Sequence, residues 1–324
     1  MSTLLLTRAE IAALMTPADY LGAVDTAFRL STQGLAEAPL PMQFHGVSGA
    51  FHAKGAAMLG EKKLAALKLN GNFPGNPARG LPTIQGVILL CDAEAGAVLA
   101  IMDSIEITLR RTAAATALAA KHLARGGAET LAIVGCGAQA RAQVEALRDV
   151  LPLKRGFAFD VDPVRARAFA LEIAGALPFE LAPSLRAATL AADVIVTCTT
   201  SRTPFLDVGD VSPGAFVAAV GADNSEKSEI APALMAKAAV VADVLAQCLV
   251  MGDLHQAVKA GAMTGEGVRA ELGDLVVGAK RGRLHADEIV IFDSTGTAIQ
   301  DVASAAVVYE RARERDVGAR ISLN

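Results

Sequence analysis

From Thr130 onward, short apolar runs alternate with helical patterns: Leu131–Val134, Gly156–Asp160, Asp193–Thr199, Ala215–Val220, Ala239–Ala242 and Glu288–Phe292 read as strands, with helical segments between most of them. Apolar runs of this length that alternate with helices predict parallel strands buried on both faces, a doubly wound α/β sheet. Just after the first of these strands lies Gly135-Cys136-Gly137-Ala138-Gln139-Ala140, a G-x-G-x-x-A turn. Two glycines and an alanine are a weak signal by themselves, but this turn follows a strand directly and opens a helix running to Leu147. In that context Gly135 makes the tight turn and Gly137 lets the backbone approach a pyrophosphate. The helix start, with Ala138 and Gln139, offers N–H groups and the positive dipole end to phosphate. The next strand ends in Asp160, at the spacing of the carboxylate that accepts from the adenosine ribose hydroxyls. A carboxylate there repels a 2′-phosphate, so NAD(H) is expected in preference to NADP(H). Asp162 reads as the N-cap ahead of Pro163 in the following helix.

The first third of the chain has a different rhythm. Thr7–Gln33 is helical in pattern, with Thr16 as an N-cap before Pro17. Phe51–Leu59, Leu64–Leu69, Thr83–Cys91 and Val98–Met102 then read as strands divided by turn signals such as Gly75-Asn76-Pro77, an α+β arrangement with antiparallel strands. Ser104–Ala124 is an Ala-rich helix, and Thr297–Arg315 is a last helix beyond the final strand of the sheet. With 324 residues the chain is long enough for about two domains. A return of the last helix to the first domain would make that domain discontinuous.

Composition excludes several classes of function. The mean hydropathy is +0.40, yet the most apolar stretches, Thr112–Ala124 and Ala238–Met251, are interrupted by Lys121 and Asp243. A membrane span needs about 20 apolar residues, so none is expected. A net charge of −4 with no basic stripe, no Trp and two Tyr argues against nucleic acid as a partner. Cys91, Cys136, Cys198 and Cys248 form no CxxC pair, and His45, His122, His255 and His285 have no metal-ligand spacing, so neither disulfides nor a metal site is indicated. The apolar run Leu4–Leu6 is too short for a signal segment, and a reducing cytoplasm is the expected compartment. No G-x-S-x-G elbow supports a serine hydrolase.

Further blocks carry a resemblance: Leu67-Lys68, Asn72-Phe73-Pro74-Gly75-Asn76, Leu81-Pro82-Thr83, Asp103 with Ile107-Thr108, and Arg111-Thr112-Ala113-Ala114. After the glycine turn come Val220-Gly221-Ala222-Asp223 with Lys227 and Glu229, Glu271-Leu272-Gly273, and Phe292-Asp293-Ser294-Thr295-Gly296 with Gln300-Asp301. In these blocks the chain resembles the ornithine cyclodeaminase/mu-crystallin family, which also holds alanine and other amino-acid dehydrogenases and ketimine reductases. The resemblance implies a Rossmann-type NAD-binding domain over residues 112–296. It also implies a discontinuous α+β domain over residues 1–111 and 297–324 that carries substrate residues and the contact of a homodimer. It assigns Lys68 and Arg111 to the substrate carboxylate, with Arg111 also near the cofactor, and Asp223 to acid/base work at the substrate nitrogen. Thr83, Ala138, Gln139, Asp160, Thr199, Val220, Gly221, Lys227 and Ser294 would line the NAD site, and Thr295 would meet the substrate.

Those residue types suit the chemistry. Moving a hydride at Cα of an amino acid requires a fixed carboxylate, which a guanidinium holds as a planar bidentate pair, so Arg111 fits. Loss of the hydride requires a neutral amine and leaves an iminium, so one carboxylate can accept a proton and then stabilise positive charge, which suits Asp223. Blander roles compete: Arg110 and Arg111 as a solvated face, Lys68 as an outward strand residue, Asp223 as the cap of a turn. Many relatives carry a further arginine after a proline before the Lys68 strand, whereas here the stretch is Pro39-Leu40-Pro41-Met42-Gln43-Phe44-His45. Gln43 brings no charge, and His52 and Lys54, which share a strand face, are candidates to replace it. The expected function is an NAD(H)-dependent oxidoreductase interconverting an amino or N-alkyl amino acid with its imine. The alternatives are ornithine cyclodeaminase, which recycles NAD while forming proline and ammonia, and a non-catalytic ligand-binding protein of mu-crystallin type.

Overall fold

The computed structural model describes residues 2–323. The chain opens with β1 (Ser2–Leu6), α1 (Arg8–Leu14), α2 (Pro17–Thr32), β2 (Ala36–Glu37), β3 (Met42–His45), β4 (Ala50–Leu59), β5 (Lys63–Asn72), β6 (Ile84–Asp92), β7 (Val98–Asp103) and α3 (Ser104–Leu123). There follow β8 (Thr130–Val134), α4 (Ala138–Arg148), β9 (Arg155–Phe159), α5 (Pro163–Ile173), β10 (Phe179–Leu181), α6 (Leu185–Leu190), β11 (Val194–Thr197), β12 (Phe216–Ala219) and α7 (Pro232–Lys237). The last elements are β13 (Ala239–Ala242), α8 (Leu245–Cys248), α9 (Gly252–Lys259), β14 (Ala270–Glu271), α10 (Leu272–Val276), β15 (Val290–Asp293), α11 (Ala298–Glu314) and β16 (Ala319–Ser322). They form two compact units: one takes in the described residues up to Arg111 and from Thr297 onward, the other is Thr112–Gly296.

In the first unit the strands run in the order β16-β1-β7-β6-β5-β4-β2, with β3 paired to β4. Most pairs are antiparallel, but β1 lies parallel to β7, so the sheet is mixed where antiparallel strands alone were expected. Strand β1 escaped the sequence reading because it is five residues long and takes its partners, β7 and β16, from distant parts of the chain. The helical pattern over Thr7–Gln33 is two helices, broken at the extended Met15 and Thr16. Each has a capping box, Thr7 with Glu10 and Thr16 with Asp19, which satisfies N–H groups the first turn leaves open. Helix α11 packs on α2 and on β4 and β5, and Arg311 near its end donates to Asp19 Oδ2 at 2.6 Å and to the Leu14 carbonyl at 2.8 Å. Tyr20 and Phe28 of α2 and Ile88, Leu90 and Met102 of the sheet are all at most 1% exposed.

In the second unit the strands run β10-β9-β8-β11-β12-β15-β13-β14, all parallel. Strands β8, β11, β12, β13 and β15 are buried along their whole length, which explains their continuous apolar sequences. The chain leaves β8 for β9 on one side and later returns to β11 on the other. That reversal leaves a crevice beyond the carboxyl end of β8, the place where open α/β sheets bind ligands. Among the described residues no helix is long and apolar enough to cross a membrane.

Candidate active site

The glycine turn occupies that crevice position. Gly135 has φ +94°, and a Cβ there would stand 2.8 Å from the Thr199 methyl and 2.9 Å from the Cys198 carbonyl oxygen, so only glycine fits on both counts. Gly137 is the N-cap of α4 and has no side chain to cap the helix, while a Cβ built on it would meet nothing within 4 Å. An uncapped helix start with open space above it is a cradle for a diphosphate. Asp160, just past β9, accepts from the Cys136 N–H at 2.9 Å through Oδ2 and from the Asp162 N–H at 2.9 Å through Oδ1. Its carboxylate is thereby locked to the turn, with lone pairs left for ribose hydroxyls. Asp162 caps α5, as its place before Pro163 suggested. At the end of β15 the Ser294 hydroxyl is buried and has no hydrogen-bond partner in the protein. These residues fit a dinucleotide such as NAD(H).

The ends of β11 and β12 are joined by a residue that sequence reasoning assigned no role. Glu229, fully buried, accepts from the Thr197 hydroxyl at 2.6 Å, the Thr199 N–H at 2.7 Å and the Gly221 N–H at 2.8 Å. A Cβ on Gly221 would lie 2.3 Å from Glu229 Oε1, so the contact requires glycine. Burial pushes the Glu229 carboxyl above its usual range against these three donors. Nearby, Asp253 accepts from the N–H groups of Glu229 and Ile230 at 2.8 and 3.0 Å, and Asp293 accepts from the Leu254 N–H at 2.9 Å. Burial, with repulsion from Glu229, pushes Asp253 upward, and burial, with repulsion from Asp253 and Asp243, pushes Asp293 upward as well. Asp223 follows β12 as expected, its side chain 56% exposed and 2.8 Å from Lys227 Nζ.

Thr295, which the resemblance gives to the substrate, has its hydroxyl engaged within the protein. Its hydroxyl is buried, donates to Asp243 Oδ1 at 2.9 Å and accepts from Gln247 Nε2 at 2.7 Å. Gly296 N–H adds a bond to Asp243 Oδ2 at 2.7 Å, so the hydroxyl helps to brace the ends of β13 and β15.

The first unit carries a cluster of buried cations. Lys68 on β5 is 4% exposed and its Nζ lies 2.7 Å from Asp301 Oδ2, so it is neither outward nor unpaired. Arg111 on α3 is also 4% exposed; it donates through Nε to Asp301 Oδ1 at 3.0 Å and through Nη1 to Gln300 Oε1 at 3.1 Å. Its neighbour Arg110 pairs with Glu106 one turn away, so the surface role falls to Arg110 alone. Burial is the main influence on Lys68 and pushes it down to about 7; Asp301 opposes this, whereas Arg111 and Lys54 add to it. Lys54 stands directly across from Lys68 in the β4–β5 register. His52 is paired with Asn70 on one side and Gln43 on the other, so Gln43, His52 and Asn70 form one row and Lys54 and Lys68 the next on the same face. Gln43 lies on the exposed outer strand β3. Thr83 belongs to this unit too, its carbonyl accepting from the Phe73 N–H at 2.8 Å at the β5–β6 turn.

The model of the ornithine cyclodeaminase/mu-crystallin family matches residues 1–316. The chain belongs to that family. Among members, an alanine dehydrogenase of Archaeoglobus fulgidus is 39% identical over 99% of this chain and 98% of its own. The iminosuccinate reductase of Paracoccus denitrificans is 33% identical over 97% of this chain and 98% of its own. Two solved structures of the family superpose along the chain. An archaeal alanine dehydrogenase dimer with bound NAD has a TM-score of 0.95 at 38% identity, each chain covered completely. The Δ1-pyrroline-2-carboxylate reductase of Thermococcus litoralis, in complex with NADH and L-proline, has a TM-score of 0.94 at 31% identity, over 98% of this chain and 100% of that one.

Proposed function

We propose that this family member is an NAD(H)-dependent oxidoreductase that interconverts an amino acid, or a cyclic or N-alkyl amino acid, with its imine at Cα. The observation that carries this reading is the buried Lys68–Asp301–Arg111 cluster, in which two cations share one carboxylate. With Lys68 protonated the cluster has one positive charge in excess, and a buried excess charge calls for an anion. The carboxylate of an amino or imino acid supplies it. The glycine turn, Asp160 and the Ser294 hydroxyl form the cofactor half, together with Thr199, Val220 and Gly221. NAD(H) bound there supplies the acceptor or donor of the hydride. Arg111 and Lys68 orient the substrate carboxylate, and Asp223 takes the proton from the amine in oxidation and returns it in reduction. Lys227, 2.8 Å from Asp223, holds that carboxylate in place.

Purified protein assayed with NADH against pyruvate plus ammonia, Δ1-pyrroline-2-carboxylate and iminosuccinate, and with NAD against L-ornithine, tests the reading. Stoichiometric NADH consumption with an imine is the expected result. Proline and ammonia from ornithine without net change in NADH would identify a cyclodeaminase instead, and no turnover of any panel member would leave only ligand binding. Asp160 favours NAD(H) over NADP(H) by repelling a 2′-phosphate, so Asp160→Ser should narrow the ratio of NADH to NADPH affinities by about tenfold or more. An unchanged ratio would remove Asp160 from that role. The four cysteines, all free, suit a reducing cytoplasm.

The assembly that goes with this reading is a homodimer formed through the first unit. Leu5, Ile101, Leu89 and Leu67 are in register across four strands, on the face of the sheet opposite Lys68. Leu5 is 41% and Leu67 45% exposed, as is Val87 at 41% in the adjoining row. An apolar band across four strands is what a second copy would cover.

A further inference from the structure

Asp301 stands in the first turn of α11, where the helix dipole favours a carboxylate, and it is 2% exposed. Each of its oxygens holds a cation from a different element: Oδ2 meets Lys68 of β5 at 2.7 Å and Oδ1 meets Arg111 of α3 at 3.0 Å. The way Arg111 is held matters. Its Nε goes to Asp301 and one Nη1 hydrogen to Gln300, which leaves Nη2 and the second Nη1 hydrogen to donate to a further acceptor. We infer that Asp301 is a positioning residue for the reaction, the carboxylate that aims Lys68 and Arg111 at the carboxylate of the substrate. It touches neither substrate nor cofactor in this scheme and acts through the two cations. The inference rests on the proposed role of Lys68 and Arg111 as the carboxylate grip.

The charged groups acting on Lys68 are Asp301 from α11, Arg111 from α3 and Lys54 from β4, and Asp301 alone favours the ammonium form. Asp301 itself is held below its usual range by Lys68 and Arg111 against its burial. Removing its charge therefore shifts Lys68 further toward the neutral amine, so the grip weakens as pH rises at a lower pH than in the parent protein.

The test compares Asp301→Asn, Asp301→Glu, Lys68→Met and Arg111→Met with the parent, using Δ1-pyrroline-2-carboxylate and pyruvate plus ammonia as substrates. Asp301→Asn should lower kcat/KM about 30-fold or more, mainly through KM for the imine, with the NADH dissociation constant unchanged. The fall of kcat/KM with rising pH should move to lower pH, and Asp301→Glu should recover part of both effects. A substrate-free measurement accompanies it, the thermal midpoint against pH. Lys68 has a folded value of about 7 against an ordinary 10.5, so the unfolded chain holds more proton between the two and this group's contribution to stability rises with pH across that interval. In Asp301→Asn the rise should begin at lower pH, and in the Lys68→Met background Asp301→Asn should no longer move it. Unshifted pH profiles in both measurements would overturn the inference about Asp301. If instead Lys68→Met and Arg111→Met leave KM for the imine unchanged, the carboxylate grip itself fails, which is a separate result.

Discussion

Asp223 and Lys227 form an ion pair between an exposed carboxylate and a largely covered lysine, just beyond a buried parallel strand. If Asp223 carries the proton at the substrate nitrogen, Asp223→Asn should reduce turnover by about 10²- to 10⁴-fold, with the NADH dissociation constant nearly unchanged. Stopped-flow and NADH fluorescence titration separate the two quantities; an unaffected kcat would take the residue out of the mechanism. Lys68 shows why a residue in an apolar strand needs its partners before it can be interpreted. A lone lysine in Ala65–Leu69 has to face water or find a counter-charge. The counter-charge is Asp301, far away in the chain, and the same contact turns Lys68 from a surface cation into a buried one whose ionisation depends on its neighbours.

Strands β11 and β12 pair to their carboxyl ends, where the Val220 N–H donates to the Thr197 carbonyl at 2.9 Å, and just beyond that bond Glu229 fastens the two chains further. Replacing Glu229 with Ala strands the Thr197 hydroxyl and the N–H groups of Thr199 and Gly221, each buried donor costing about 1–3 kcal/mol. Equilibrium unfolding in urea should therefore show Glu229→Ala destabilised by about 2–5 kcal/mol with an unchanged slope. Glu229→Gln, whose one amide oxygen can replace Oε2 as acceptor for the Thr197 hydroxyl and the Gly221 N–H but whose NH2 then faces the Thr199 N–H, should lose less than Glu229→Ala. Equal losses in both variants would mean that the acceptor at Oε2 contributes nothing to holding these ends. Thr199 and Gly221 both belong to the proposed cofactor half, so NADH affinity should fall in parallel with this loss. The glycine turn between β8 and α4 works differently: Gly135 is compelled by its positive φ and by the nearness of Thr199, whereas a Cβ on Gly137 would meet no protein atom within 4 Å.

At the scale of the whole molecule, the first unit's sheet has a face packed under α2 and α11 and another face crossed by the row Leu5, Ile101, Leu89 and Leu67. Leu67→Asp combined with Leu89→Asp should convert a dimer into monomers in size-exclusion chromatography with light scattering, because like charges would be placed in a desolvated contact. A parent protein that is already monomeric would remove the homodimer from the reading. The sequence by itself determined the class of fold, the strand–turn–helix position of the dinucleotide turn, the caps at Thr16 and Asp162, and Lys68 and Arg111 as chemically notable residues. These features are local: they rest on periodicity, on propensity and on motifs a few residues long. Only the tertiary structure decided that β1 pairs in parallel with β7, that Thr295 is a brace, that Glu229 ties two strand ends and that Asp301 joins Lys68 to Arg111. A contact between residues distant in the chain leaves no periodic trace in the sequence, and a buried charge can be read only when the group that neutralises it is in view.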